Sequence, residues 1–87
     1  MQKHGAKLQV RDSFFIVGKG LVVVGVLLEG AIKLKMKTLT GGKMGEVRLI
    51  EYRDEVPSEF NNVGSDVSVL IHGIEKKDIM GSILTFD

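Results

Sequence analysis

The chain has 87 residues, of which 44% are hydrophobic and 26% are charged, and its formal net charge at pH 7 is only +1. A chain of this length accommodates one small domain, and its hydrophobic content argues against general disorder. Because it contains no cysteine, a disulfide framework and a thiolate metal site are excluded. The most apolar run, residues 14–28, is too short for a membrane-spanning helix, and we expect a cytoplasmic protein.

The first strand signals lie in this apolar run. Residues 14–17 and 21–28 are rich in β-branched and aromatic side chains, which favours two strands. The Gly18-Lys19-Gly20 segment between them predicts a turn or bulge, and Glu29-Gly30 predicts the turn of a following hairpin.

The clearest alternation in the chain follows that turn. Apolar side chains alternate with lysines: Ile32, Leu34 and Met36 against Lys33, Lys35 and Lys37. A period of two predicts a strand with the apolar residues on one face and the lysines on the other.

The second half of the chain continues in the same manner. We expect a turn at residues 40–43, a strand around 47–49, a loop at 54–64, a strand at 67–71, a polar connection with a helical turn at 73–79 and a last strand at 82–86.

These patterns predict an all-β fold, a small closed antiparallel barrel of about six strands, because several short strands with glycine turns are typical of barrels. Closure also removes strand edges that would otherwise pair with other chains. We expect residues 1–7 to be a flexible leader and residues 8–87 to form the single domain. The alternation predicts these interior residues: Val22, Ile32, Leu34, Val47, Leu49, Val67, Val69, Ile71 and Leu84.

Four blocks of sequence, in order, resemble one protein family. They are FFIVGKGLVVVG followed by GAIK at residues 14–33, VRLIE at 47–51, GSDVSVLIHGIEKKDI at 64–79, and a glycine with an apolar strand at 81–86. Their order and spacing resemble the second domain of elongation factor Tu and its relatives, which is a β-barrel. The resemblance covers about residues 10–86 and implies a translation-factor barrel, standing alone in this chain.

The resemblance also implies a pocket, because in the family the first strand and the VRLIE-like strand help to line the site for the aminoacyl end of transfer RNA. The candidates at matching positions are Asp12, Phe14, Glu51 and Arg53, with His72 where the family has arginine. An aromatic ring can stack on a base, and carboxylates accept hydrogen bonds from an amine or a ribose hydroxyl. The alternative is that these residues are structural, since Arg11, Val24 and His72 depart from the family at this pocket.

Catalytic and cofactor sites are not indicated. In the family the barrel follows a GTPase domain, whose phosphate loop has the form GxxxxGK(S/T). The segments at residues 18–20 and 41–44 lack the Ser/Thr and lead into no predicted helix, so we expect no nucleotide binding and no enzyme activity. No nucleophile-elbow motif surrounds Ser13 or any other serine. The isolated His4 and His72 do not predict a metal site, and no cofactor is expected.

Two functions remain. The first is contact with RNA or a ribonucleoprotein, possible through Lys33, Lys35, Lys37 and Lys43, because phosphate contacts need several cations on one face. The alternative is that these lysines form an ordinary solvated strand face or protect a strand edge. The second is docking on a GTPase or another partner protein, for which outward-facing Val24, Leu28 and Leu70 would supply an apolar patch.

Overall fold

The computed structural model of the protein describes residues 5–87, which form eight β-strands and one 3-10 helix. In chain order these are β1 (Ala6–Ile16), β2 (Gly20–Gly30), β3 (Ile32–Lys33), β4 (Lys37–Thr40), β5 (Lys43–Glu51), β6 (Glu59–Phe60), β7 (Asp66–His72), the 3-10 helix (Lys76–Asp78) and β8 (Ile83–Phe86). Six strands close an antiparallel barrel in the order β1-β2-β7-β5-β4-β8, and β3 pairs with β6 in a separate two-stranded sheet. The predicted six-stranded barrel is therefore confirmed.

The hairpin of β1 and β2 is the longest feature of the barrel. Its turn is closed by a hydrogen bond from the Lys19 amide to the Ile16 carbonyl oxygen at 3.0 Å. Gly20 has φ 138°, and a Cβ there would lie 2.5 Å from the carbonyl oxygen of Ile71. Glycine is therefore required at this position, both for the backbone conformation and for the close approach of β7.

The predicted lysine strand at residues 32–37 is wrong. Strand β3 ends at Lys33, Leu34 and Lys35 form a turn, and β4 begins at Lys37. Lys35 has φ 75°, a left-handed conformation outside the extended region of a β-strand. The three lysines are exposed but lie on three different elements, and Leu34, expected inside, is exposed in the turn.

The core fills the barrel with aliphatic side chains and two phenylalanines. Its buried apolar members are Ala6, Leu8, Leu21, Val23, Leu27, Ile32, Val47, Ile50, Phe60, Val67, Val69, Ile71, Ile74, Leu84 and Phe86. Of the predicted interior residues, Ile32, Val47, Val67, Val69, Ile71 and Leu84 are buried.

Two other predicted interior residues face outward for local reasons. A β-bulge between Val47 and Leu49 inserts one residue into β5, so Leu49 is exposed and Ile50 takes the interior position. Strand β2 is apolar on both faces, so its periodicity does not reveal its orientation. Its interior residues include Leu21 and Val23, and Val22 is only half-buried.

The N-terminal end of the domain also differs from the prediction. Residues 1–4 of the expected leader lie outside the described residues. Strand β1 already begins at Ala6, which is fully buried, so the domain begins before residue 8. Within residues 5–87, no helix has the length and apolar character needed to cross a membrane.

Candidate functional site

The outward-facing side of β1, β2, β7 and β5, here called the outer face, places residues from four strands in register. Directly paired residues of antiparallel strands project on the same side of a sheet. The pairings Asp12–Val24, Val24–Ser68 and Ser68–Glu51 therefore make one row, the polar row.

A second row runs parallel to the first, about 7 Å away along the strands. It is formed by the pairings Phe14–Val22, Val22–Leu70 and Leu70–Leu49, and we call it the apolar row. Four apolar side chains in line across four strands, none of them fully buried, are unusual on a surface that faces only water.

An apolar pocket of about 190 Å³ opens on this second row. Its lining residues are Ile16, Lys19, Val22, Leu49, Glu51, Ser68 and Leu70. The walls are mostly aliphatic, with one carboxylate and one ammonium group. Such a site suits a flat apolar ring that carries polar groups at its edge.

A wider groove of about 590 Å³, here called the Arg53 groove, adjoins this pocket, and Glu51 lines both. Arg53 lies in the tight turn after β5, where the Tyr52 and Glu55 backbones exchange two hydrogen bonds of 3.0 Å. Arg53 has φ 58°, a conformation that glycine usually supplies in such turns. Its guanidinium carbon lies 5.0 Å from the centre of the Tyr52 ring, which orients the cation beside the groove.

Tyr52, which sequence reasoning missed, anchors one wall of the Arg53 groove. Its ring packs against Phe60 with centroids 4.8 Å apart. Hydrogen bonds from the side chains of Asn62 and Ser65 lower the pKa of its phenol, and the nearby Arg53 cation acts in the same direction.

The structure brings together some of the family-pocket candidates and separates others. Glu51 and Arg53 line the same groove, and Asp12 and Phe14 lie on the outer face at its β1 end without lining either cavity. The Asp12 carboxylate accepts a hydrogen bond from the Ser13 amide at 2.8 Å, so it is turned towards its own backbone. Phe14 is half exposed.

His72 does not join this group. It is four residues beyond Ser68 on β7, roughly 13 Å away along the strand. There it lies opposite Glu46 and lines a different cavity together with Phe15, Lys19 and Lys43.

The lysine candidates do not form one cationic face. Lys33 lies opposite Glu59, and Lys37 lies opposite Glu46, so a carboxylate faces each across its ladder. Lys43 lies at the other end of the β4–β5 hairpin, where its Nζ is 3.6 Å from Oδ2 of the largely buried Asp78. A carboxylate beside each of these lysines lowers the local positive potential that would attract a phosphate.

Of the potential outward apolar residues, Val24 and Leu70 lie in the two rows and are half-buried, and Leu28 is exposed near the end of β2. Among residues 5–87 no group of three or more His, Asp or Glu side chains could hold a metal ion.

This fold defines a class of protein: the chain is a β-barrel of the translation-factor type, similar to the second domain, a β-barrel, of the elongation-factor-Tu-type GTPases. It is 35% identical over 75 residues to elongation factor 1-alpha of Pyrobaculum calidifontis and of Pyrobaculum arsenaticum. The aligned region is 84% of this chain but 17% of each relative. The match covers a barrel domain of these GTPases rather than their catalytic domain.

Solved structures give the same result. The barrel superposes on the translation elongation factor SelB of Methanococcus maripaludis in its apo form with a TM-score of 0.80 and 31% identity, covering 97% of this chain and 19% of that one. It also matches the fold of a bacterial selenocysteine-specific elongation factor, with a TM-score of 0.76 and 20% identity over 94% of this chain and 14% of that one. No family model matches the chain.

Proposed function

We propose that the protein is a non-catalytic binding module that holds the end of a single-stranded RNA, free or in a ribonucleoprotein, on the outer face. The observation that carries this proposal is the apolar pocket, with aliphatic walls from Val22, Leu49 and Leu70 and the Glu51 carboxylate at its edge. A nucleobase presents flat apolar faces to such walls, while a ribose hydroxyl donates to a carboxylate.

The neighbouring groups suit the rest of a nucleotide. Lys19 lines the pocket and Arg53 lines the adjoining groove, so two cations flank the carboxylate where a phosphate would enter and leave. The half-exposed ring of Phe14 lies on the same face and offers a stacking surface for a second base. Similarity to elongation factors supports an RNA ligand from the translation machinery, although the chain spans only 17% of those relatives.

Titration of a short fluorescent single-stranded RNA tests the pocket. We expect Leu49→Ala to weaken binding about tenfold, because the apolar contact surface lost with the leucine side chain is worth roughly 1–2 kcal/mol. Leu39→Ala is the matched control, since Leu39 is another exposed leucine on a strand, β4, that is not part of the outer face. Equal affinity of the two variants would exclude the apolar pocket as the RNA site.

Recognition of an aminoacyl group is a separate question. We expect charged and uncharged transfer RNA to bind with equal affinity, because Val24 provides no hydroxyl on the outer face and the Asp12 carboxylate is engaged with the Ser13 amide. A clear preference for the charged form that Phe14→Ala abolishes would show that the aminoacyl-end site of the family is retained.

A second candidate function, protein docking, is favoured by the free end of the β1–β2 hairpin. Four consecutive apolar residues are exposed there: Phe14 and Phe15 at 50%, Ile16 at 37% and Val17 at 88%. A pull-down from native lysate with and without ribonuclease separates the two functions. Partners lost with ribonuclease support RNA binding, and partners that survive ribonuclease but are lost with Val17→Asp support docking.

A further inference from the structure

A cavity of about 330 Å³, here called the hairpin cavity, lies at the free end of the β1–β2 hairpin. Its lining residues are Phe15, Gly18, Lys19, Gly20, Lys43, His72, Gly73, Ile74 and Glu75. Lys19 also lines the apolar pocket, so the two cavities adjoin at this side chain. A ligand that fills the apolar pocket and extends past Lys19 would therefore enter the hairpin cavity.

Phe15 supplies an aromatic surface to this cavity. It projects to the same side of β1 as the buried Ser13, and it pairs with the fully buried Leu21 of β2. Half of Phe15 is nevertheless exposed, because it lies nearer the hairpin turn than Ser13, where the cavity opens. Ile74, which is only 2% exposed, adds a second apolar wall. The end of the barrel thus presents an uncovered aromatic ring beside an aliphatic surface.

Glycines keep the space beside the ring open. Gly18, Gly20 and Gly73 line the cavity without contributing a side chain. Gly73 has φ 106°, and a Cβ there would lie 2.6 Å from the Met44 carbonyl oxygen. Because both the backbone conformation and the close approach of β5 require glycine at this position, no side chain fills this part of the cavity.

Charge does not select the ligand of the hairpin cavity. Lys19 and Lys43 line it together with Glu75, and the Lys43 Nζ lies 3.6 Å from Oδ2 of the largely buried Asp78. The other charged groups around it also nearly balance, with Arg48, Lys76 and Lys77 against Glu46 and Glu51. A charged ligand would gain little from such surroundings, so we expect a neutral one.

His72 places hydrogen-bonding groups at the rim of the cavity. Its side chain is exposed, and no hydrogen bond or ion pair with residues 5–87 engages it. A neutral imidazole has one donor and one acceptor nitrogen. A nucleobase is neutral, stacks on an aromatic ring through its face, and carries donors and acceptors along its edge. A phenylalanine of a partner protein would also stack on Phe15 but would offer His72 no hydrogen bond.

We propose that the hairpin cavity is a second base-binding subsite, which holds a neutral nucleobase stacked on Phe15 with its polar edge at His72. This base belongs to the nucleotide that follows the apolar pocket on the Lys19 side, so the subsite is distinct from the stacking surface of Phe14. The inference rests on the proposed function and extends it to a further nucleotide of the same RNA strand.

Titration with short single-stranded RNAs that each lack one base tests the proposal. In the unsubstituted protein, loss of either of two adjacent bases should weaken binding about tenfold, because each base loses a stacking surface. In Phe15→Ala, loss of the base on the hairpin-cavity side should have no further effect, whereas loss of the other base should still weaken binding. Leu49→Ala should show the reverse.

Val17→Ala is the matched control, since Val17 is 88% exposed at the same end of the hairpin and lines neither cavity. It should respond to both base losses as the unsubstituted protein does, and all three variants should retain cooperative thermal unfolding. If the base losses weaken binding equally in Phe15→Ala and in the unsubstituted protein, the inference is overturned, while the effect of Leu49→Ala still supports the proposed function.

Two other outcomes would also overturn the inference. If Leu49→Ala binds every RNA as the unsubstituted protein does, the proposed function and this inference are both wrong. If Phe15→Ala leaves RNA binding intact but loses a ribonuclease-resistant partner in the pull-down, the hairpin cavity serves protein docking instead.

His72→Phe tests the hydrogen bond at the edge of the base. The probe is an RNA in which a phenyl ring replaces the base on the hairpin-cavity side, because this ring stacks but has no polar edge. It should bind the unsubstituted protein several-fold more weakly than the intact RNA, and the two RNAs should bind His72→Phe with equal affinity. Equal affinity of the two RNAs for the unsubstituted protein would show that the cavity accepts any apolar ring, and would overturn its assignment to a nucleobase.

Discussion

Thr40 and Asp78, 38 positions apart in the chain, are joined by a buried hydrogen bond of 2.8 Å from the Thr40 hydroxyl to the Asp78 carbonyl oxygen. The same hydroxyl accepts a hydrogen bond from the Met80 amide at 3.2 Å. This single side chain therefore attaches the 3-10 helix and the segment leading to β8 to the β4–β5 turn. Without it, two main-chain groups would lose their partner.

Thr40→Val should destabilise the barrel by about 1–3 kcal/mol, since the Asp78 carbonyl oxygen loses its partner in a buried hydrogen bond and the Met80 amide loses its partner in a part-buried one. Thr38→Val is the matched control, because Thr38 is also buried on β4 but its hydroxyl oxygen has no hydrogen-bond partner among the described residues. Thr38→Val should leave the free energy of unfolding unchanged or raise it by up to about 1 kcal/mol. Chemical denaturation of both variants measures the difference, and a Thr38→Val variant less stable than Thr40→Val contradicts this account.

The salt dependence of RNA binding should be determined mainly by Lys19 and Arg53. Three phosphate contacts from Lys33, Lys35 and Lys37 would give a slope of log affinity on log salt near −2 for single strands. Lys33 and Lys37 each face a carboxylate across a strand pair. We therefore expect the triple variant, in which Lys33, Lys35 and Lys37 are all replaced by alanine, to change the slope of log affinity on log salt by less than about 1 without unfolding the barrel.

The comparison variant combines Lys19→Ala with Arg53→Asn, since asparagine tolerates the left-handed conformation at this position. This variant should bring the slope of log affinity on log salt closer to zero than the triple lysine variant does. A triple variant whose slope falls to zero would instead assign the phosphate contacts to the three lysines.

Tyr52 should titrate below the usual pKa of tyrosine in the folded barrel, because Asn62 and Ser65 hydrogen-bond to its oxygen. It is the only tyrosine of the chain, so phenolate absorbance reports it alone. A lowered folded pKa means that the phenolate stabilises the fold above the unfolded pKa of about 10, and that this contribution is lost as pH falls through the folded value.

Asn62→Ala should raise the Tyr52 pKa, whereas Asn61→Ala, a neighbouring exposed asparagine, should leave it unchanged. An equal Tyr52 pKa in the unsubstituted protein, in Asn62→Ala and in Asn61→Ala would show that the Asn62 side chain does not act on the phenol.

The barrel should not bind GTP, because the segments around Lys19 and Lys43 lie in β-hairpins and neither precedes a helix with a phosphate loop. Titration of a fluorescent GTP analogue is the measurement. Saturable micromolar binding that unlabelled ATP does not displace would refute this expectation.

Sequence patterns were sufficient wherever a strand alternates and has no irregularity. Strand β7 is the clearest case, because Val67, Val69 and Ile71 are interior as predicted, and the intervening residues face outward. The family motifs predicted the barrel itself, since their glycines mark the turns that such a fold requires. Glu51 and Arg53, proposed from the same motifs, do lie together at one groove.

The predictions failed where a single residue changes the direction of the chain. Lys35 adopts a left-handed conformation, so an alternating hexapeptide becomes a short strand, a turn and the beginning of β4. The bulge in β5 moves Leu49 to the outer face, where it lines the apolar pocket. Neither a bulge nor a left-handed lysine has a reliable sequence signal, since each depends on what the neighbouring strand requires.

The sequence by itself determined that this protein is an all-β barrel, because alternation and glycine turns are local properties with a direct physical meaning. The tertiary structure alone decided which surface residues lie together. Phe14, Val22, Leu70 and Leu49 come from four strands, and only the register of the closed barrel places them in one row. Register depends on contacts between distant segments, and a one-residue shift reverses every side chain of a strand.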